Sequence, residues 1–193
     1  VAGAPELRRH YLDRILEHKT ELFAWLKQKW AELFAADFEV LLYDLTSTYF
    51  EGALEDNPKA RRGYSRDHRP DCPQVVIALV VPPDGFPLAY EVMNGNTTEH
   101  QTLAPFLERI ERTYGKARRV WVMDRGIPTE ATLRMMREPQ RQTCYLVGTP
   151  KGRMRQHEQK WLELPWQRVR DSVEVKLYEH EGELYVLARS EGR

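Results

Sequence analysis

Two apolar runs that each end on an aspartate constrain this chain more than any other feature. Leu41-Leu42-Tyr43 leads into Asp44, followed by Leu45-Thr46-Ser47-Thr48-Tyr49-Phe50-Glu51-Gly52. Val120-Trp121-Val122-Met123 leads into Asp124, followed by Arg125-Gly126-Ile127-Pro128. Short runs rich in β-branched and aromatic residues read as buried strands, each delivering one carboxylate to its polar end. The two lie far apart in sequence, so only tertiary structure can bring them together. On neighbouring strands they would offer hard oxygen ligands to Mg²⁺ or Mn²⁺. A pair of such ions can activate a water or a 3′-hydroxyl and stabilise the leaving oxygen of a phosphodiester. Taken singly, each Asp also fits a turn cap, since Asp beside Thr, Ser or Gly bonds local backbone.

The rest of the chain frames these strands. Leu12, Ile15, Leu16, Leu22, Phe23, Leu26, Trp30 and Leu33 recur at three- and four-residue steps. That spacing predicts helix from Ala4 to Ala35, as one long helix or two broken near Lys19-Thr20. A strand is expected at Glu39 to Leu45, then a polar loop from Glu51 to Gln74. Val75–Val81 and Pro87–Met93 flank Pro82-Pro83-Asp84-Gly85 and read as a hairpin. Thr98 and Gln101 have capping-box spacing before a helix running to about Thr113. Strand Arg119–Met123, a short helix from Pro128 or Thr129 to Arg137, and strand Thr143–Val147 follow. Lys151 to Gln159 reads as polar, and Trp161 to Trp166 as short and irregular. Val173–Glu179 and Glu183–Arg189 alternate as two strands around Glu181-Gly182. This order gives an α/β layered fold with a mixed sheet. It has three parts: a helical arm over 1–36, a core over 37–150 and a β-rich segment over 151–193.

Composition bounds the partners. The chain has 193 residues, with Lys plus Arg equal to Asp plus Glu at 29 each, so net charge names no polyanionic partner. The distribution is less even. Lys59, Arg61, Arg62, Arg66 and Arg69 cluster, as do Arg141, Lys151, Arg153 and Arg155. Such groups can neutralise phosphates, and they can equally be solvated loops. The two cysteines, Cys72 and Cys144, make neither a disulfide framework nor a Cys-rich zinc site. No apolar run reaches the length of a membrane span. A reduced, cytosolic setting is the simplest expectation.

Four segments taken in order resemble one family. Tyr43-Asp44-Leu45-Thr46-Ser47-Thr48-Tyr49-Phe50 resembles the first-aspartate motif of insertion-sequence transposases of the DDE class. Gly63-Tyr64-Ser65-Arg66-Asp67-His68-Arg69-Pro70-Asp71-Cys72-Pro73-Gln74 resembles that family's loop before its second strand. Asn94-Gly95-Asn96-Thr97-Thr98-Glu99 resembles the segment after its third strand, and Val122-Met123-Asp124-Arg125-Gly126 its second-aspartate motif. The resemblance implies a ribonuclease-H-like mixed sheet with flanking helices and metal-dependent cleavage and strand transfer of double-stranded DNA. The DNA would comprise the ends of a mobile element and its target. It makes Asp44 and Asp124 the metal ligands for Mg²⁺ or Mn²⁺. It also makes Arg61, Arg62, Arg66 and Arg69 contacts to DNA, makes Arg125 either a further contact to a DNA phosphate or an anchor for the carboxylate, and makes a homodimer in a prokaryotic cytosol plausible by analogy. Arg153 to Glu191 would begin the β-rich insertion that precedes a third acidic residue.

The chain departs from the family where that third carboxylate belongs, on a later helix with a Tyr-Arg-Glu-Lys-type signature. None of Glu158, Glu163, Glu174, Glu179, Glu181, Glu183 and Glu191 sits in such a segment. The expectation is therefore a C-terminally truncated, catalytically incomplete fragment. Two other readings stand beside it: a different ribonuclease-H-like nuclease of resolvase or repair type, and a non-catalytic DNA-binding remnant. Asp67, His68 and Asp71 lack further ligands for a separate metal site. Thr46 and Thr48 read as near-metal hydrogen-bonders or as caps. Trp161 and Trp166 fit a small core better than a stacking surface for bases.

Overall fold

The computed structural model describes residues 4–52, 54, 56–65, 67–115, 118–141, 143–149 and 151–190. The chain divides into two compact units, Val1–Gly148 and Thr149–Arg193. Arg66, one of the arginines assigned to DNA by resemblance, lies outside the described residues.

In the first unit a five-stranded sheet has the order β3-β2-β1-β4-β5. Its strands are β1 (Val40–Tyr49), β2 (Gln74–Val81), β3 (Ala89–Asn94), β4 (Arg119–Met123) and β5 (Thr143–Val147). β1, β2 and β3 form an antiparallel meander. β4 runs parallel to β1 and β5 parallel to β4. The crossovers are α3 (Leu103–Tyr114), entered through a 3₁₀ turn at Glu99–Gln101, and α4 (Glu130–Met136). A central β1 flanked by an antiparallel hairpin on one side and parallel strands on the other is the ribonuclease-H-like arrangement expected above.

The alternation of β1 sets the layers. Leu41, Tyr43 and Leu45 are buried, whereas Leu42, Asp44 and Thr46 are exposed. The buried set joins Val76, Ala78, Val80, Trp121 and Met123 in one core with Leu103, Phe106, Leu107 and Ile110 of α3 and Leu133 and Met136 of α4. Both crossover helices therefore cover one face of the sheet. On the other face Leu42, Leu79 and Leu146 remain 38%, 39% and 57% exposed.

The N-terminal periodicity resolves into two helices, α1 (Ala4–Glu17) and α2 (Lys19–Phe34), with the break at His18. α2 rests on the β2–β3 hairpin through ring contacts of Phe23 with Tyr90 (5.6 Å) and of Trp30 with Phe86 (5.2 Å). Lys19 donates to the Tyr90 carbonyl at 2.8 Å, and burial lowers its pKa. Among the described residues no helix is long and apolar enough to cross a membrane.

Two local expectations need correction. Thr98 makes no side-chain cap to the turn it precedes; its Oγ1 meets His100 Nε2 at 3.3 Å instead, and the helix proper starts at Leu103 behind Thr102. β1 does not stop at Leu45. Thr46, Ser47, Thr48 and Tyr49 pair with Ile77, Val76, Val75 and Gln74, so these hydroxyl residues are strand and not caps. Their β-branched and aromatic character suits a ladder once a partner strand is present.

The second unit holds α5 (Lys151–Gln156), α6 (Glu158–Glu163) and an antiparallel meander of β6 (Gln167–Arg170), β7 (Val173–His180) and β8 (Glu183–Ser190). The polar 151–159 stretch and the segment after it are thus mostly helical, and Glu158 and Glu163 bound a six-residue helix. Trp161 is buried edge-on against Tyr178 at 5.6 Å, which organises this small core. Trp166 lies under the Arg189 guanidinium at 4.1 Å. Glu181 and Gly182 both have positive φ, 51° and 78°, as a two-residue hairpin turn between right-twisted strands requires.

Candidate active site

The register of β1 and β4 carries the site. Val40 pairs with Val120 and Tyr43 with Met123 in parallel. One step further along both chains stand Asp44 and Asp124. Adjacent strands lie about 4.8 Å apart, so the two carboxylates leave neighbouring backbones at one level. Asp44 belongs to the middle of β1, whereas Asp124 is the first residue past the end of β4. Both are exposed to solvent.

Each carboxylate is held in the same way. Oδ1 of Asp44 accepts from the Leu45 N–H at 2.7 Å, and Oδ1 of Asp124 from the Arg125 N–H at 2.7 Å. No other hydrogen bond or ion pair engages either Asp among the described residues. One oxygen of each group thus fixes the side chain and the other stays open for a ligand. Two like charges at this spacing without a cation repel, and a divalent ion between them would remove that repulsion. The donor set, oxygen only and partly prepositioned, suits a hard cation that keeps water or phosphate in its remaining positions. Among the described residues no group of three or more His, Cys, Asp and Glu converges on a metal position.

Tyr43, next to Asp44, is the anchor beneath it. Its hydroxyl donates to Thr102 Oγ1 at 2.8 Å, and Thr102 Oγ1 donates to the Glu99 carbonyl at 2.7 Å. The ring packs on Phe106 and Trp121, and burial pushes the phenol pKa up to about 12. This chain of contacts ties β1 to the start of α3 at the level of the aspartates. Gly126 lies against Glu99: a Cβ there would sit 2.7 Å from the Glu99 carboxylate.

The basic loop is fastened to the same end of the sheet by close backbone packing. Arg61 and Gln74 exchange two backbone hydrogen bonds at 3.0 Å. Gln74, 1% exposed, donates its Nε2 to the carbonyls of Gly95 (2.8 Å) and Tyr64 (2.9 Å). The Gly63 Cα faces the Gly95 carbonyl so closely that a Cβ would lie 2.2 Å from it. Only glycine fits there.

The arginines divide by what already holds them. Arg61, Arg62 and Arg69 line one cleft of 990 Å³ with Glu51, Asp71 and Cys72. Arg69 is committed within it. It bonds Asp71 at 3.0 Å and Glu51 at 3.1 Å and lies over the Tyr49 ring at 5.1 Å. Hydrogen bonding from Arg69 pulls the Asp71 carboxyl down to about 2. Among the described residues the Arg61 side chain makes only a long 3.4 Å contact to its neighbour's carbonyl. Arg125 is exposed beside Asp124, packed by its Cβ over Gly148, where a larger residue would press on it at 3.2 Å. Arg125 therefore stands with the carboxylate pair, and Arg61 and Arg62 with the loop. The sequence alone left Gln74 unnoticed: one Gln among polar loop residues carries no signal until its two carbonyl partners are known.

A family model described as the transposase DDE domain matches residues 35–181. The match spans most of the chain, and the chain belongs to that family. Among solved structures, the chain is similar to a piggyBac transposase synaptic complex with hairpin DNA, at 10% identity and a TM-score of 0.46, covering 93% of this chain and 40% of that one. A Mos1 transposase paired-end complex with the left transposon end aligns at 11% identity and a TM-score of 0.38, covering 77% of this chain and 54% of the other. The chain thus spans about half or less of the length of these transposases. No curated protein sequence matches it.

Proposed function

We propose that this chain forms part of the catalytic core of a DNA transposase that cleaves and joins phosphodiesters at the ends of an insertion sequence. The observation that carries this reading is the β1–β4 register, Tyr43 beside Met123, which sets Asp44 level with Asp124. Family membership implies a divalent metal, and Mg²⁺ or Mn²⁺ fits the oxygen-only donors. When bound, such ions activate the attacking water or 3′-hydroxyl and stabilise the departing oxygen.

Asp44 and Asp124 would hold the metals, each having one carboxylate oxygen that the backbone leaves open. Arg125 contacts the phosphate that approaches the pair. Arg61 and Arg62 take the flanking backbone of double-stranded DNA, whereas Arg69, bound to Glu51 and Asp71, shapes their loop. Arg66 belongs to the same group by sequence. A further carboxylate on a Tyr-Arg-Glu-Lys-type helix would complete the ligand set from outside the described residues, and two copies would serve two element ends.

The test uses two readouts. Mn²⁺ binding to this chain, followed by electron paramagnetic resonance, should weaken about tenfold or more in Asp44→Asn and in Asp124→Asn. The same substitutions in the complete enzyme should abolish cleavage of element-end DNA and leave DNA binding intact. Full cleavage by either variant removes the assignment.

A further inference from the structure

The three-stranded meander of the second unit has two unlike edges. β6 is four residues long, carries Arg168 and Arg170, and its register against β7 shifts between them. Short, charged and irregular, it is the kind of edge that resists further pairing. β8 has none of these guards. It pairs with β7 without interruption from Glu183 to Ser190 and contains no proline. Among the described residues it has a neighbour strand on one side only. Leu184 and Val186 on it are 57% and 50% exposed, and Leu177, opposite Val186 on β7, is 41% exposed. A long, regular, apolar edge is a template for another strand.

The hairpin turn decides which backbone groups that edge offers. His180 and Glu183 flank the two-residue turn at Glu181-Gly182 and form its closing hydrogen-bonded pair. Hydrogen-bonded and non-hydrogen-bonded pairs then alternate along an antiparallel ladder. Glu183, Tyr185, Leu187 and Arg189 therefore turn their N–H and C=O groups to β7, and Leu184, Val186 and Ala188 turn theirs outward. A second copy of β8, laid antiparallel about a two-fold axis at Val186, meets this pattern with its own. Val186 then faces Val186 of the second copy, and Leu184 faces its Ala188. These three pairs exchange about six hydrogen bonds. Each face of the sheet continues across the axis, with Leu184, Val186 and Ala188 on one side in both copies.

Charge selects this register. It sets Glu183 opposite Arg189 of the second copy, and Arg189 opposite its Glu183, at non-hydrogen-bonded positions where side chains approach most closely. A two-residue slip sets Arg189 opposite Tyr185 or Glu183 opposite Leu187 instead. Arg189 is already oriented within its own chain. Its guanidinium lies 4.1 Å over the Trp166 ring, and its Nε and Nη2 meet the Glu174 carboxylate at 2.8 and 2.7 Å. We propose that the outer edge of β8 is a self-association surface, through which two copies of this chain join their meanders into one continuous sheet. The surface belongs to the second unit alone, and its chemistry does not depend on the transposase reading.

The test is sedimentation of this chain without DNA and in EDTA. The mass should rise toward twice that of one copy as concentration increases through the range of about 1–100 µM. Glu183→Arg and Arg189→Glu should each weaken association about tenfold or more, because like charges then face each other. An equal mixture of the two variants should associate again, since each supplies the charge the other lacks. Val186→Pro removes an outward N–H but no bond to β7, so it should keep the wild-type far-ultraviolet circular dichroism and sediment as a monomer. Wild type monomeric throughout that range, a dimer that survives Val186→Pro, or a mixture of the folded charge variants no more associated than either alone overturns the proposal. A monomeric chain would leave the assignment of Asp44 and Asp124 standing, and a dimer whose complete enzyme cleaves no DNA would leave the β8 surface standing.

Discussion

Gly95→Ala should damage the protein far more than its size suggests, because the contacts it would violate are all backbone. A methyl at this position would lie 2.0 Å from the Gln74 carbonyl oxygen and 2.3 Å from that of Arg61. Carbon and oxygen settle at about 3.3 Å even in their closest favourable contacts, so the loop must lift by roughly 1 Å. The bonds across this seam are the Gly95 N–H to the Lys59 carbonyl at 2.9 Å, the Gln74 amide to the Gly95 carbonyl at 2.8 Å, and the Arg61–Gln74 pair at 3.0 Å. Stretched by that amount they no longer qualify as hydrogen bonds. Losing two or three costs about 1 kcal/mol each, and a buried Gln74 amide left without partners adds about 1–3 kcal/mol. The stiffer unfolded chain returns less than about 1 kcal/mol. The expected net loss is about 2–6 kcal/mol. Urea denaturation at unchanged m measures it, and hydrogen exchange should show the Arg61 and Gln74 amides deprotected. Gln74→Ala breaks part of the same seam, so the double variant should fall short of the sum. A Gly95→Ala protein within about 0.5 kcal/mol of wild type, with the Arg61 amide still protected, would refute this account of the loop.

Other expectations follow from single contacts. The Tyr43 pKa is raised by burial to about 12 from 10.0. The folded state therefore holds this proton more tightly, and stability that is complete below about pH 10 is lost as pH rises toward 12. Tyr43→Phe should flatten that limb in alkaline denaturation and cost about 1 kcal/mol at neutral pH through the lost bond to Thr102. Asp71 behaves in the opposite sense: depressed to about 2 by Arg69, its contribution is present above pH 3.8 and disappears as pH falls through 2. Arg69→Ala should return the Asp71 titration, followed by NMR, to the ordinary carboxylate range. In DNA binding, Arg62→Ala should lower the slope of log K against log salt by about 1, while Arg69→Ala should change it little, since that guanidinium is already paired.

Long-range order was legible where pattern and burial agree. The β-branched run at 75–81, the Pro-Pro-Asp-Gly turn and the second apolar run at 87–93 specify a hairpin whatever surrounds them. The strand at 119–123 is similarly unambiguous. Errors fell where one residue type serves two structures. Thr46, Ser47 and Thr48 are as good in a turn as in a strand, and only the presence of β2 alongside decides between them. Thr98 with Gln101 has the spacing of a cap, yet the chain there first makes a 3₁₀ turn and hands the cap position to Thr102. Lys151–Glu163 looks like loop because its helices are six residues each and bury little beyond Trp161. For the proposed site, the sequence offers both aspartates as candidates, but not their level. That depends on a register that the strand sequences do not encode by themselves.

The unequal lengths of β1 and β4 explain why the site stands where it does. β1 runs to Tyr49, whereas β4 stops at Met123. At Leu42 and Tyr43 the central strand is paired on both edges; beyond them, β2 alone supports it, and the edge facing β4 is open. Asp44 is the first residue of that open stretch and Asp124 the first beyond the strand that ends. Both carboxylates thus lie at a step in the sheet, where backbone is still held rigidly but solvent and a polyanion can approach. The meander that supports β1 also brings Gln74 and Gly95 together at its far end, and these fix Gly63 and Tyr64. Shortening β1 would therefore remove more than a metal ligand's support. It would release the loop that carries Arg61, Arg62 and Tyr64, so on the proposed reading metal binding and DNA contact should weaken together when the overhang is cut back.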